Sequence, residues 1–205
     1  MGEWWTYSLS DFLMFSPATY WRLIELYQRA LWPAQVLALA TGLGCLAAAL
    51  RPAPSVRGAA LLVLALVWLW VGWAFHAQRY ATINWAAYQF AWGFALQALV
   101  LAALAWRVAR LPVGARLRPR SIVVTLGWVL ALAAVLLYPL AGWLAGRPLV
   151  QSDLFGVTPD PTALATLGLL PALAQGTGRI WRTGACLLPA LWVAVGAATL
   201  WTMSL

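Results

Sequence analysis

The sequence predicts an all-α fold, namely a polytopic transmembrane helix bundle. Of its 205 residues, 64% are apolar and only 9% are charged, and the mean hydropathy is +0.81; soluble domains carry about 25% charged residues. Six apolar runs are separated by short segments that contain most of the arginines. We therefore expect a single integral membrane domain over residues 1–205, with an outer interfacial segment at 1–30 and a transmembrane bundle at 31–205.

The six apolar runs differ in whether they can cross a bilayer. They occupy residues 31–50, 59–75, 85–106, 121–144, 161–174 and 184–205. A helix rises about 1.5 Å per residue, so a hydrocarbon core of roughly 30 Å needs about 20 residues. The fifth run has only 14 residues. We expect it to be a tilted full span, and a re-entrant half-helix is the alternative.

The segment SPATYWRLIELYQRALWP predicts an amphipathic helix ahead of the first span. Ser16 is suited to the N-cap and Pro17 to the first turn. The polar face carries Arg22, Glu25 and Arg29, and the opposite face carries Tyr20, Ile24, Tyr27 and Leu31. We expect the helix to lie in the outer interface with its rings in the headgroup boundary. It serves either as an anchor or as a lid over an outward-facing cavity.

The arginines predict the orientation, because cationic loops stay in the cytoplasm. All thirteen basic residues are arginine. With six spans, one side holds nine of them: Arg51, Arg57, Arg107, Arg110, Arg116, Arg118, Arg120, Arg179 and Arg182. The other side holds four: Arg22, Arg29, Arg79 and Arg147. The first side is therefore expected in the cytoplasm, and both termini outside.

Acidic and aromatic residues collect on the predicted outer side. It holds all five acids (Glu3, Asp11, Glu25, Asp153 and Asp160), the single histidine, His76, all six tyrosines and most of the tryptophans. Interfacial rings normally favour both faces of a membrane. The asymmetry predicts an outward-facing vestibule with aromatic walls and acidic groups.

The stretch FGVTPDPTALATLG holds the main candidate site residue, Asp160. Two interpretations stay open: Asp160 is the N-cap of a helix that begins with Pro161, or it forms an outward-facing proton or cation site beside His76, Arg79 or Asn84. Behind it, Thr162, Thr166 and Gly168 form a small hydroxylated stripe. Such a stripe suits close helix packing or a narrow polar path.

The second polar cluster is HAQRYATINW, residues 76–85. His76 is either an interfacial residue or a ligand. Arg79 either binds a lipid phosphate or pairs with an acid such as Asp153. The full candidate set for a binding or proton/cation site is Asp160, Asp153, His76, Arg79, Asn84, Glu25 and Thr158.

Several chemistries lack their residues. A P-loop requires lysine, and the chain has none. One histidine cannot supply both axial ligands of a haem, and Cys45 and Cys186 lack metal-site spacing. We expect no catalytic residue, no metal and no cofactor, and an enzymatic function is not indicated.

Several segments resemble a known family: WWTYSLSDFLMFSP, WPAQ, AFHAQRYATINWAA, FGVTPDPTALATLG and ATLWTM. They are similar to those of a bacterial family of small polytopic inner-membrane proteins that carries only a domain-of-unknown-function label, with members named permease-like by default. The resemblance covers nearly the whole chain. It implies a multi-pass helical fold in the bacterial inner membrane, and it supplies no activity and no catalytic residue.

Two functions therefore stay open. The protein is either a small permease-like or ligand-binding membrane protein, or a non-catalytic subunit or assembly factor of a larger membrane complex. The expected partners are the lipid bilayer and either other membrane subunits or further copies of the chain; nucleic acid is not expected.

Overall fold

The fold of the chain is all-α, as the sequence predicts. The computed structural model describes residues 14–112 and 121–204. Within these residues there are seven helices: α1 (Pro17–Leu31), α2 (Ala34–Ala49), α3 (Pro54–Val71), α4 (Ala87–Ala109), α5 (Ile122–Leu144), α6 (Pro159–Leu173) and α7 (Arg179–Ser204). A π-helical turn, Gly72–Ala77, extends α3, and another, Ala133–Leu137, lies inside α5.

Four helices are long and apolar enough to cross a membrane: α3 with its extension to Thr82, α4, α5 and α7. Helices α1 and α2 meet at 90°, and the count becomes five if this bent pair is one span. The four long helices expose many large apolar side chains, as lipid-facing surfaces do. All six apolar runs are helical, but α2 and α6 have only 16 and 15 residues.

Helix α6 lies at the centre of the bundle, and eleven of its fifteen residues are buried. It packs against α2, α3, α5 and α7. Its first turn contacts the C-terminal half of α7, where Asp160 meets Trp192. Just beyond its last turn, the backbone oxygen of Gln175 accepts a hydrogen bond from Arg57 at the start of α3. The two ends of α6 therefore lie at opposite ends of the bundle, one beside Trp192 and one beside Arg57.

Glycines allow α5 and α6 to pack closely. A Cβ atom on Gly127 would lie 2.6 Å from the backbone oxygen of Gly168, a distance that no side chain tolerates. The hydroxyls of Thr162 and Thr166 donate to the carbonyls of Thr158 and Thr162, at 2.7 and 2.8 Å. Since both hydroxyl protons are used inside the helix, the small-residue stripe serves close packing rather than a polar path.

Charged residues lie at the two ends of the bundle, which we call the acidic end and the basic end. The acidic end comprises the loops 78–86 and 145–158, the start of α6, the end of α7 and α1. It holds the three described acids, Glu25, Asp153 and Asp160, with four arginines, Arg22, Arg29, Arg79 and Arg147. The basic end comprises the loops around 50–53, 110–112 and 174–178, and it holds Arg51, Arg57, Arg107, Arg110, Arg179 and Arg182. Glu3, Asp11, Arg116, Arg118 and Arg120 lie outside the described residues.

Helix α1 is capped as expected but lies elsewhere than expected. The Ser16 hydroxyl accepts a hydrogen bond from the Thr19 backbone N–H at 3.2 Å. The apolar face, however, is buried against the protein and not in a headgroup layer: the Tyr27 ring lies 5.7 Å from that of Phe75. The aromatic side chains of α1 pack against the aromatic side chains in the π-helical extension of α3. Helix α1 therefore covers part of the acidic end, and the expectation that its rings lie in the headgroup boundary was wrong.

We expect Gly168→Ala to destabilise the bundle, because its Cβ would lie 2.6 Å from the backbone nitrogen of Ala131 in α5. Overpacking of this kind costs about 1–3 kcal/mol. The measurement is the unfolding midpoint of the detergent-solubilised protein. Gly44→Ala is the matched control, since nothing lies within 4 Å of its Cβ. Equal midpoints for the two variants would contradict the close α5–α6 contact.

Candidate functional site

A cavity of about 220 Å³ lies at the acidic end, beneath the start of α1. The extension of α3, the loop 78–86 and helices α4, α6 and α7 complete its walls. Its walls are aromatic with a few polar groups; the main side chains are those of Tyr20, Phe75, Tyr80, Asn84, Phe90, Asp160, Trp192 and Thr199. Of the polar residues that the sequence assigns to a vestibule, Asp160 and Asn84 line this cavity.

Asp160 does not cap α6. The helix begins at Pro159, two residues before Pro161, and Thr158 occupies the N-cap position. Asp160 therefore lies in the first turn, and its carboxylate is directed towards α7 and α5. The indole N–H of Trp192 donates to Oδ1 at 2.8 Å, and the Tyr138 hydroxyl lies 3.5 Å from Oδ2, the outer limit of a hydrogen bond. The N-cap interpretation of Asp160 was wrong.

A glycine on α7 makes room for this carboxylate. A Cβ atom on Gly196 would lie 2.6 Å from Asp160 Oδ1. Trp192, Gly196 and Thr199 all line the cavity, and their i, i+4, i+7 spacing places them on one helix face. This spacing is a sequence signal that could have identified the α7 wall of the site.

Asp153 lies near Asp160 in the loop that precedes α6, and it is only 7% exposed. Burial and the charge of Asp160 raise the pKa of the Asp153 carboxyl to about 7, while the charge of Arg147 and a hydrogen bond from Thr158 act in the opposite direction. Two acids in one apolar surrounding therefore compete for ionisation. The acidic end can hold a proton near neutral pH.

His76 is fully buried behind the cavity. Its ring centroid lies 4.6 Å from that of Phe94, 4.8 Å from that of Trp192 and 5.9 Å from that of Phe90. Neither ring nitrogen has a hydrogen-bond partner among the described residues. The interfacial placement of His76 was therefore wrong. It meets Trp192 edge to face, at an interplanar angle of 74°, because the π-helical turn Gly72–Ala77 adds a residue to its helical turn.

The other candidate residues divide into one that lines the cavity and three that do not. Asn84 lines it, and its Oδ1 accepts from the Ala86 backbone N–H at 2.9 Å. Thr158 is buried and bonds to the Leu154 backbone, so it shapes the turn. Arg79 is exposed, and within residues 14–112 and 121–204 no ion pair joins it to Asp153.

Glu25 is the third candidate outside the cavity. It pairs with Arg22 at 2.9 Å and with Arg29 at 3.1 Å on the outer face of α1. These are i, i+3 and i, i+4 pairs within one helix, and Glu25 does not line the cavity.

The sequence did not identify Trp192 and Tyr138 as site residues. Both lie inside long apolar runs, where an aromatic residue is normally a lipid or core contact. Tyr138 immediately follows the π-helical turn Ala133–Leu137. Such a turn changes which face a side chain occupies, and nothing in the apolar pattern indicates it.

The chain is thus an apolar helical bundle with up to five candidate membrane spans and an acidic, aromatic cavity at one end. The model of DUF6064, a family of unknown function, matches residues 18–204. The chain belongs to this family. No match was found among curated proteins or among solved structures. Among the described residues there is no cluster of three His, Cys, Asp or Glu side chains that could hold a metal ion.

We expect the protein to be more stable at pH 5 than at pH 8. The folded protein keeps the Asp153 proton until about pH 7, whereas the unfolded chain releases it near pH 3.8. The stabilisation from this raised pKa is therefore complete below pH 3.8 and lost as the pH rises to about 7. Melting temperatures across this range measure it.

Asp153→Asn should flatten this pH dependence, because the amide does not titrate. Glu25→Gln should leave the difference between pH 5 and pH 8 unchanged, since the hydrogen bond from Arg22 lowers the pKa of Glu25 from its ordinary value of 4.5. A slope in Asp153→Asn as steep as in the wild type would contradict the assignment.

Proposed function

We propose that the protein is a small permease-like or ligand-binding membrane protein that takes up a small organic cation in the cavity at its acidic end. The observation that carries the proposal is the Asp160 carboxylate. It lines the cavity, and no arginine lies within ion-pairing distance of it among the described residues. A cation is the ligand that would balance this charge.

The walls support an organic ammonium group rather than a neutral molecule. Trp192 is fixed edge-on to Phe90, with ring centroids 5.2 Å apart, and Tyr80 completes the aromatic wall. Aromatic faces attract ammonium groups by about 0.5–2 kcal/mol per contact. A volume of about 220 Å³ suits a ligand smaller than the drug-sized molecules that fill pockets of about 300–1,000 Å³.

Helix α1 supports a gated outer site. Tyr20 lines the cavity, and Gln28 ties α1 to the loop 145–158 through a 2.7 Å hydrogen bond to the Ser152 carbonyl. In this proposal α1 is the lid, and this hydrogen bond joins it to the loop that carries Asp153. Opening it would expose both acids to an incoming cation.

Six crossings form part of this proposal. Helices α2 and α6 join the ends of the bundle together with the four long helices, and α6 can be short because protein surrounds it. By the positive-inside rule the basic end faces the cytoplasm, and both termini face the periplasm of a bacterial inner membrane.

A second candidate function is a non-catalytic subunit or assembly factor of a larger membrane complex. It is favoured by the exposed tryptophans of the acidic end, Trp85, Trp143 and Trp201, which fit a partner's apolar surface as well as lipid. Native mass spectrometry after gentle extraction separates the two. A stoichiometric protein partner supports the subunit, and a monomer or homo-oligomer that retains a small molecule supports the binding protein.

We expect Asp160→Asn to abolish stabilisation of the purified protein by small quaternary and primary ammonium ions, because among the described residues it removes the only anionic group of the cavity wall. The measurement is the shift of the melting temperature across a series of ammonium ions of increasing size. Glu25→Gln is the matched control: it removes an acid of the same end that lies outside the cavity, and the shift should persist. If no ammonium ion stabilises the wild type, or if Asp160→Asn retains the full shift, the cation site is refuted.

Topology is tested by labelling single cysteines in a variant that lacks Cys45 and Cys186. Thr82→Cys lies in an exposed loop of the acidic end, and Gly178→Cys lies in open space at the basic end. In intact cells a membrane-impermeant maleimide should label the first and not the second. The reverse pattern would overturn the orientation, and equal labelling would overturn the separation of the ends.

A further inference from the structure

An arginine is buried at the basic end, where the cation proposal assigns no role. Arg57 is 1% exposed. Its Nη1 atom donates to the backbone oxygen of Gln175 at 2.9 Å. Its Nε and Nη2 atoms have no hydrogen-bond partner among the described residues. A guanidinium has five N–H donors, so most of its donors are unused.

No carboxylate of the chain compensates this charge in the described structure. Residues 26–152 contain no aspartate or glutamate. The described acids, Glu25, Asp153 and Asp160, all lie at the acidic end, on the far side of the bundle. A buried charge without a partner is strongly destabilising. The arrangement is therefore explained if an anion from outside the chain completes it.

Arg57 lines a cavity that is large enough for such an anion. The cavity measures about 330 Å³ and lies between the loop 50–53 and the adjoining ends of α2, α3, α5 and α6. Arg51 and Thr125 also line it and supply a second guanidinium and a hydroxyl. The remaining wall is mostly apolar and includes Leu50 and Trp128. Two cationic groups and a hydroxyl therefore face one space that also has an apolar side.

We propose that this cavity binds a phosphate group, with Arg57 as its buried anchor and Arg51 as its outer contact. Guanidinium groups match phosphate oxygens through paired, charge-assisted hydrogen bonds. The apolar wall would lie against whatever carries the phosphate. Two sources offer this chemistry at the end of a membrane bundle, a free phosphate ion and the headgroup of an anionic phospholipid.

The test measures the melting temperature of the wild-type protein in neutral detergent. One arm adds inorganic phosphate and compares it with chloride at equal ionic strength. A second arm adds phosphatidylglycerol and compares it with phosphatidylcholine, whose net charge is zero. Stabilisation in the first arm supports a site for free phosphate, and stabilisation in the second alone supports a lipid headgroup. If neither arm stabilises the wild type, the proposal is overturned.

Three variants test whether the stabilisation by phosphate or phosphatidylglycerol arises at this cavity. Arg51→Gln alters an exposed side chain, so this variant should fold normally. It should bind the phosphate group about ten-fold or more weakly, as loss of one charge-assisted contact does. Arg57→Gln should abolish the effect. Arg110→Gln is the control, because Arg110 belongs to the same end but stacks on Trp106 at 3.7 Å and does not line this cavity.

Two outcomes would refute the site even if Arg57→Gln fails to fold. If Arg51→Gln binds the phosphate group as tightly as the wild type does, the Arg51 guanidinium does not contact that group. If Arg110→Gln weakens binding as much as Arg51→Gln, the effect comes from the overall positive charge of the basic end. Both results are independent of the cation site, since the ammonium titration involves Asp160 at the opposite end.

Discussion

The separation of charge between the two ends of an apolar bundle governs the rest of the structure. Acids lie at one end and six of the described arginines at the other, and α6, with 15 residues, holds the ends about 22 Å apart. Over such a distance neither group can neutralise the other by contact. Asp160 and Arg57 are therefore left without an ionic partner among the described residues, and each faces a cavity. The two proposed sites therefore differ in the charge of the ligand that each would take.

Helix α6 fixes the positions of both cavities. Gly127 and Gly168 bring α5 and α6 into backbone contact, and Gly196 brings α7 against Asp160. Close packing leaves the helix little freedom to rotate, since interiors at this density resist small displacements. The carboxylate of Asp160 and the carbonyl of Gln175, which holds Arg57, are consequently set by the same rigid element. Glycine at these contacts thus contributes to the geometry of both ends.

The sequence predicted the features that follow from composition and regular periodicity. These are the all-α class, the Ser16 cap, the two faces of α1 and the grouping of the three described acids at one end of the bundle. It could not predict the start of α6, because Pro159 and Pro161 are both acceptable in a first turn. The helix begins at Pro159, two residues earlier than expected, and Asp160 is therefore a cavity residue and not a cap. It also could not place His76, since a π-helical turn breaks the period of 3.6 on which helix faces are assigned.

The region between the cavities indicates what kind of activity the structure supports. The core there is filled by fully buried side chains such as Leu61, Leu64 and Leu169, and the Trp68 indole is bonded to Thr166 on α6. The two cavities share no lining residue. A continuous path would require breaking this packing and exposing apolar surface to water, which costs about 25 cal/mol per Å². In the described conformation the two cavities are therefore not connected, and transport would require α7, of whose 26 residues only four are buried, to move away from α6.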